Sequence, residues 1–228
     1  MKKETFVLSV GGSVLVPNGI NTAFLKKFAA LIKKEAAKGS RFILVTGGGA
    51  VCREYNTALE SVRRPAPSDL DWLGITVTRL NATLLKFALG KLANPEIVTD
   101  PTGPIKFRKP VLVAAGWKPG RSSDYQAVIL ARRFGASTII NMSNIDYVYD
   151  KDPRKFKNAK KITLIDWNSF QKLVGTKWVP GANAPFDPTA TKYAKAHKQK
   201  VIILNGNNIA NLGAALSGKG KFKGTVIA

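Results

Sequence analysis

Residues 5–13 read Thr5-Phe6-Val7-Leu8-Ser9-Val10-Gly11-Gly12-Ser13, and residues 41–49 read Arg41-Phe42-Ile43-Leu44-Val45-Thr46-Gly47-Gly48-Gly49. Each is a short apolar run that stops at a cluster of glycines. Such runs read as buried strands. Between them Phe24, Leu25, Phe28, Leu31 and Ile32 recur at helical spacing, and Gly39 supplies a stop. Strand, helix and strand in alternation is the pattern of an α/β domain.

The pattern continues outward from these runs. A helix through Arg53 and Leu59 is expected after Gly49. Arg63–Ser68, with two prolines, reads as a loop, and Ser68 with Asp71 resembles a capping box for a helix from about Asp69 to Leu89. Val111–Ala115 reads as a strand entering Gly116-Trp117-Lys118-Pro119-Gly120-Arg121-Ser122-Ser123-Asp124, with a helix then running through Ala127 and Leu130 to near Gly135. Thr138–Met142 is a strand that opens the second half. Asp166 is placed to cap a short helix through Phe170 and Leu173, and residues 176–186 read as an irregular loop. Pro188–Lys198, Val201–Leu204, Ile209–Leu216 and Thr225–Ile227 read as helix, strand, helix and strand. No internal repeat or low-complexity tract interrupts the chain.

At 228 residues the chain suits one α/β domain with a sizeable core. No apolar run approaches the roughly 20 residues that span a bilayer, and the start enters a strand at once, without a signal peptide's pattern. A cytoplasmic protein without membrane partners is expected. One cysteine, Cys52, and one histidine, His197, leave almost no material for disulfides, zinc clusters or histidine-centred triads. Packing for Cys52 and a surface position for His197 are the plain readings. The remaining inventory is Asp, Lys, Arg, Ser and backbone amides. It suits phosphoryl transfer, which depends on positioning and charge neutralisation. The formal net charge is +22, and residues 151–228 hold 15 basic against 3 acidic residues. Such a field attracts polyanions, nucleotides or nucleic acid among them, although charge alone also serves solubility.

Three glycine- or serine-rich loops follow expected strands: Gly11–Ser13, Gly47–Gly49 and Gly116–Asp124. In open α/β sheets ligands bind beyond the carboxyl ends of strands. Glycines there let backbone N–H groups approach phosphate oxygens. No G-x-x-x-x-G-K-[ST], G-x-G-x-x-G or G-x-S-x-G run occurs, which removes the P-loop, dinucleotide, protein-kinase and α/β-hydrolase readings.

These loops, with Asn144-Ile145-Asp146, Tyr149, Asp152-Pro153, Cys52-Arg53-Glu54-Tyr55, Leu73-Gly74-Ile75-Thr76, Arg79-Leu80-Asn81-Ala82 and Asp187-Pro188 followed by Lys192, resemble the amino-acid kinase superfamily. Within it the chain is most similar to the UMP kinases of archaeal type, from the first strand to Gly224-Thr225-Val226-Ile227. The resemblance implies a three-layer αβα sandwich and transfer of the γ-phosphate of ATP, with Mg²⁺, to UMP. It implies a UMP-binding half over residues 1–136 and an ATP-binding half over 137–228. By position, Gly48, Asp71, Trp117, Lys118, Pro119, Gly120, Arg121, Ser122 and Ser123 match UMP contacts. Gly11, Gly12, Ser13, Gly49 and Arg53 match the phosphate channel, and Ser143, Asn144, Tyr149 and Asp152 match ATP contacts. Arg53 and Lys192 match cations at the transferring group, and Asp124 matches an acid that orients such cations. No protein ligand set for the metal is implied. Hexamers built from dimers are common among relatives, so the resemblance implies a homo-oligomer.

Plainer roles stand beside these. Asp124 also suits a helix cap, Asp152 before Pro153 suits a turn, and Arg53 and Lys192 suit solvated helix faces. Ser9 stands where many superfamily members have lysine, Tyr147 where this branch usually has glycine, and Trp117 where a small hydroxyl residue is common. A same-fold kinase for another monoester, such as isopentenyl phosphate, would have a histidine shortly after the triple glycine. Here Ala50, Val51 and Cys52 follow. A non-catalytic nucleotide or nucleic-acid binding protein is the rival of another class, motivated by the basic second half.

Overall fold

A computed structural model describes residues 4–136, 138–153, 155–176, 184–218 and 221–228. The two opening runs are strands β1 (Thr5–Val10) and β2 (Arg41–Thr46), paired in parallel. Five of six residues in each are buried, as expected of strands covered on both faces. Between them lie a single helical turn, α1 (Gly12–Leu15), and the helix α2 (Thr22–Ala37). The Asn21 side chain caps α2 by accepting from Phe24 N–H at 3.0 Å, and Gly39, at φ +97°, turns the chain out of it.

Helices α3 (Gly49–Val62) and α4 (Pro67–Leu89) follow β2 and pack on each other. The start of α4 departs from the expected capping box. Pro67 occupies the first turn, and Asp69 rather than Asp71 turns back, accepting from Ala66 N–H at 3.3 Å. Asp71 is thereby released for the site described below. Strand β3 (Ala93–Val98) was not legible as a strand. It holds Pro95, Asn94 and Glu96, which a central strand would not tolerate. It survives as the edge partner of β4 (Val111–Ala114), with a register shift between Ala93 and Ile97.

Helix α5 (Ser123–Arg133) precedes β5 (Thr138–Ser143), which pairs with the other side of β1. A small antiparallel hairpin, β6 (Val148–Tyr149) with β7 (Lys161–Ile162), stands outside the main sheet, and β8 (Leu164–Ile165) is its second edge. Then come α6 (Trp167–Val174), α7 (Pro188–Ala196), β9 (Lys200–Asn205), α8 (Ile209–Ser217) and β10 (Thr225–Ile227). Asp166 caps α6 as expected, accepting from the N–H groups of Asn168 and Ser169. Part of the irregular loop expected over 176–186 lies outside the described residues.

The eight-stranded sheet runs β3-β4-β2-β1-β5-β9-β10-β8, parallel except where β10 meets β9. Alternation along each strand separates two cores. Phe6, Leu8 and Val10 join the layer of α2, α4 and α8, where Phe28 and Leu85 are fully buried. Val7, Ile43 and Ile139 join the layer of α5, α6 and α7, with Leu130, Phe170 and Phe186. This is the three-layer αβα arrangement. Ser9 and Asn141 follow Val7 and Ile139 on the same face, which carries two polar side chains into the α5–α7 layer at its carboxyl edge.

Candidate active site

Strands β1, β2, β4, β5 and β9 are parallel, so their carboxyl ends share one edge. Two glycine loops meet there backbone to backbone. Gly11 N–H donates to Met142 O at 3.0 Å, and Gly47 N–H to Val10 O at 3.0 Å. A β-carbon on Gly12 would lie 1.9 Å from Gly49 N, and Gly49 itself sits at φ +74°. No other residue type fits this approach. The amides of the two loops are thus gathered around one point, with Ser13 half-buried beside them.

Helix α4 organises the loops beside the second glycine cluster. Asn81 Nδ2 donates to the carbonyls of Gly47 and Gly48, at 2.8 and 3.2 Å. Thr78 Oγ1 accepts from Gly116 N–H at 2.8 Å, and Arg79 donates to the carbonyls of Gly116 and Trp117. Two turns earlier, Asp71 Oδ2 accepts from Gly120 N–H at 2.8 Å. The expected loop Trp117–Ser123 is therefore held to α4 at its start and at its middle. Within it Lys118 Nζ lies 4.2 Å from the Trp117 ring centre and the Arg121 guanidinium 4.4 Å from that of Tyr125. Ser122 caps α5, accepting from Tyr125 N–H. Arg53 is exposed on α3, one turn after Gly49. Burial pushes the neighbouring Cys52 thiol up, Arg53 pulls it down and Asp71 pushes it up again. That thiol therefore feels both candidate residues, one from each helix, and its raised value agrees with a packing role.

Asp124 and α7 form the third part. The Asp124 carboxyl accepts from Ser9 Oγ at 3.0 Å, Asn141 Nδ2 at 3.5 Å and Asp187 N–H at 3.3 Å. The residue keeps some exposed surface, but the carboxyl sits deep among protein atoms. Desolvation, and then the Asp187 charge, push it up to about 6, against the hydroxyl of Ser9 and the Asp187 amide, which pull it down. Asp187 caps α7, its Oδ1 accepting from Ala190 N–H and Thr189 Oγ1, while its buried Oδ2 has no hydrogen-bond partner. Lys192 is exposed on the same helix. Among the described residues no ion pair joins Lys192 to Asp124. The partners of Asp124 here are a hydroxyl, two amides and a second acid, not the cations expected from the sequence.

Ser143 and Asn144 lie at the end of β5, with Ser143 O accepting from Gly206 N–H at 2.8 Å. Tyr149 lies in β6. Asp152 opens the turn of the hairpin, its carbonyl accepting from Lys155 and Phe156 N–H, in keeping with the plain turn reading. The hairpin is anchored by Thr225, whose hydroxyl accepts from Val148 N–H and donates to Ile162 O. The ring centre of Tyr147 lies 5.2 Å from Lys161 Nζ. A cavity of about 1110 Å³ forms a groove between α2 and α8 beside this edge, which it reaches at Asp146 and Asn205. Its breadth does not make it the chemical site, because the glycine loops do not line it.

Sequence reasoning gave no role to Thr78, Asn81, Asn141 or Asp187. Thr78, Asn81 and Asn141 sit at buried positions of otherwise apolar elements, and a polar residue there was the available signal.

The sequence profile described as the amino acid kinase family matches residues 4–205. The chain belongs to the amino acid kinase family. It is 35% identical over 226 residues to a uridylate kinase of Methanospirillum hungatei, covering 98% of this chain and 94% of that one. A uridylate kinase of Thermococcus sibiricus is 34% identical, covering 97% and 98%. The crystal structure of the Archaeoglobus fulgidus uridylate kinase superposes with a TM-score of 0.82 at 30% identity, covering 98% of this chain and 99% of that one. A Bacillus anthracis UMP kinase, at 20% identity and a TM-score of 0.78, shares the fold.

Proposed function

We propose that the chain transfers the γ-phosphate of ATP to UMP, giving UDP and ADP. What carries the reading is the match, over nearly the whole chain, to relatives named uridylate kinases, on a fold whose glycine loops interlock at the carboxyl edge. Residues 1–136 hold UMP, through Gly48, Asp71 and the loop Trp117, Lys118, Pro119, Gly120, Arg121, Ser122 and Ser123. Residues 137–228 hold ATP, through Ser143, Asn144, Tyr149 and Asp152. Gly11, Gly12, Ser13 and Gly49 line the phosphate path between them.

An oxygen of the UMP phosphate attacks the γ-phosphorus, and the bond to the β–γ bridging oxygen breaks, with the electron pair leaving on ADP. The attacking oxygen is already anionic at neutral pH, so no general base is required. Arg53 and Lys192 offset charge on the equatorial oxygens. Asp124 is a positioning residue that joins the starts of α5 and α7 through the Asp187 amide. Mg²⁺ accompanies ATP and supplies further neutralisation of phosphate charge. Among the described residues no group of three or more His, Cys, Asp or Glu could hold a metal. The unpartnered Oδ2 of Asp187 is the acidic oxygen that fits a cation, so phosphate oxygens and water would complete its shell.

The enzyme is read as a cytoplasmic homo-oligomer, a hexamer by resemblance. No described helix is long and apolar enough to cross a membrane. Tyr55, Val62, Trp72, Leu80 and Phe87 leave an apolar face on α3 and α4 that suits self-association. The test is a coupled assay of the purified protein with ATP and Mg²⁺ against UMP, CMP, dUMP and isopentenyl phosphate. UMP should be strongly preferred, because a site that hydrogen-bonds one base edge rejects a mismatched edge. Equal kcat/KM for CMP and UMP would refute the acceptor assignment, and no turnover with any monophosphate would leave a binding protein. Arg53→Ala should lower kcat/KM about 10²–10⁴-fold. Unchanged kinetics would remove Arg53 from the site.

A further inference from the structure

Tyr125 lies on the first turn of α5, directly after Asp124, and its ring makes two contacts. The guanidinium of Arg121 lies over it, 4.4 Å from the ring centre. Tyr193 of α7 meets it at a steep angle, with ring centres 5.8 Å apart and planes at 70°. Tyr193 is in turn stacked on His197, at 4.1 Å and 27°, and His197 Nδ1 lies 2.7 Å from Tyr193 O. A continuous stack thus runs from the acceptor loop, through the start of α5, to the C-terminal end of α7. Lys192 is the residue before Tyr193.

We propose that Tyr125 is a positioning residue for acceptor binding, holding the Arg121 guanidinium in place against a ring that packs on Tyr193 of α7. The proposal rests on the reading of Arg121 as a UMP contact. The loop around Arg121 is pinned at its backbone, since Gly120 N–H donates to Asp71 and Arg121 N–H to Lys118 O at 3.2 Å. The guanidinium is at the end of a long side chain, which such backbone bonds leave free to turn. No ion pair holds it among the described residues, so the face of Tyr125 is the restraint the structure supplies. A cation over an aromatic face is held by the ring quadrupole, and an arginine held in advance loses less entropy when it meets an anion. The ring and not the hydroxyl does this, so phenylalanine should replace tyrosine.

The experiment measures KM for UMP, KM for ATP, kcat and Tm in Arg121→Ala, Tyr125→Phe, Tyr125→Leu, Tyr193→Leu and the double variant Arg121→Ala/Tyr125→Leu. Tyr125→Phe should stay within about twofold of wild type. Tyr125→Leu should raise KM for UMP about fivefold, the scale of one exposed cation–π contact, with KM for ATP unchanged. Added to Arg121→Ala, it should raise KM no further, because the residue it positions is gone. Tyr193→Leu, which removes the ring packed on Tyr125, should raise the same KM by a smaller factor and serves if Tyr125→Leu does not fold. If Arg121→Ala lowers UMP affinity while the Leu variants do not, the positioning inference falls and the acceptor reading stands. An additive double variant, or equal changes in both KM values, overturns it as well. If Arg121→Ala leaves KM for UMP unchanged, the assignment of Arg121 falls, and the inference falls with it.

Discussion

A neutral hydroxyl, Ser9, stands on β1 and donates to Asp124 at 3.0 Å. With a hydroxyl, two amides and the acid Asp187 as neighbours, this carboxyl lacks a cation at hand and is pushed up to about 6. An acid raised in the folded state above its unfolded value of 3.8 costs stability once the unfolded chain can ionise and the folded one resists. That cost is absent below about pH 4, grows as pH rises, and is complete above about pH 6. Asp124→Asn removes the titration. The unfolding free energy of this variant should therefore gain on wild type between pH 4 and 7, by up to about 3 kcal/mol at 1.36 kcal/mol per unit. Urea unfolding of both proteins across that range measures it. A constant gap between the two curves would mean that the carboxyl titrates normally.

Two helices give the element scale its content. Helix α4 is a scaffold for the site as much as a piece of core: its inner face packs Ala82, Leu85 and Leu89, while Asp71, Thr78, Arg79 and Asn81 hold the glycine loop and the acceptor loop. Helix α2 is core alone. Phe28 is fully buried there and stacks on Phe24 with ring centres 5.2 Å apart. Phe28→Ala should lower unfolding free energy by about 3–5 kcal/mol, the transfer and cavity cost of a buried phenylalanine. Chemical denaturation reads this directly. Because α2 gives no side chain to the glycine loops, KM values of the folded fraction should stay near those of wild type. A large change in KM would tie α2 to catalysis in a way its contacts do not.

For the whole molecule the surface is the issue. The chain carries a net charge of +22, and the described residues include two ion pairs, Glu35–Lys38 and Arg63–Asp69, both in the first half. The second half, with 15 basic against 3 acidic residues, presents a positive field that attracts anionic nucleotides, an effect that salt screens. The opposite kind of surface lies on α3 and α4. Leu80 and Phe87 are 65% and 71% exposed, seven residues apart on one face of α4, with Trp72 near the same line. A face of this kind is expected to be covered by a second copy. Leu80→Glu with Phe87→Glu should shift the protein toward monomers in light scattering coupled to size exclusion, with the fold kept by circular dichroism. An unchanged mass would place the interface elsewhere.

The sequence by itself determined the alternation of strands and helices, most element boundaries to within a residue or two, and the three loops that carry glycine. These depend on local periodicity and on residues that stop a helix or a strand, which a chain displays in order. It did not display β3, because Pro95 and Glu96 are acceptable only at an edge, and being an edge is a property of the assembled sheet. Nor did it display the hairpin of β6 and β7, whose two-residue strands are held by Thr225 from the far end of the chain. The cap of α4 went to Asp69 and freed Asp71, a choice between two acids two residues apart that the tertiary contact with Gly120 favours. The same holds for the site. Ser9, Asp124, Asn141 and Asp187 are far apart in sequence, and parallel strands with their carboxyl ends at one edge bring them within hydrogen-bonding reach. Local periodicity sets the elements. The tertiary structure decided which polar side chains share a desolvated space, because burial and hydrogen-bond partners exist only once the layers have packed.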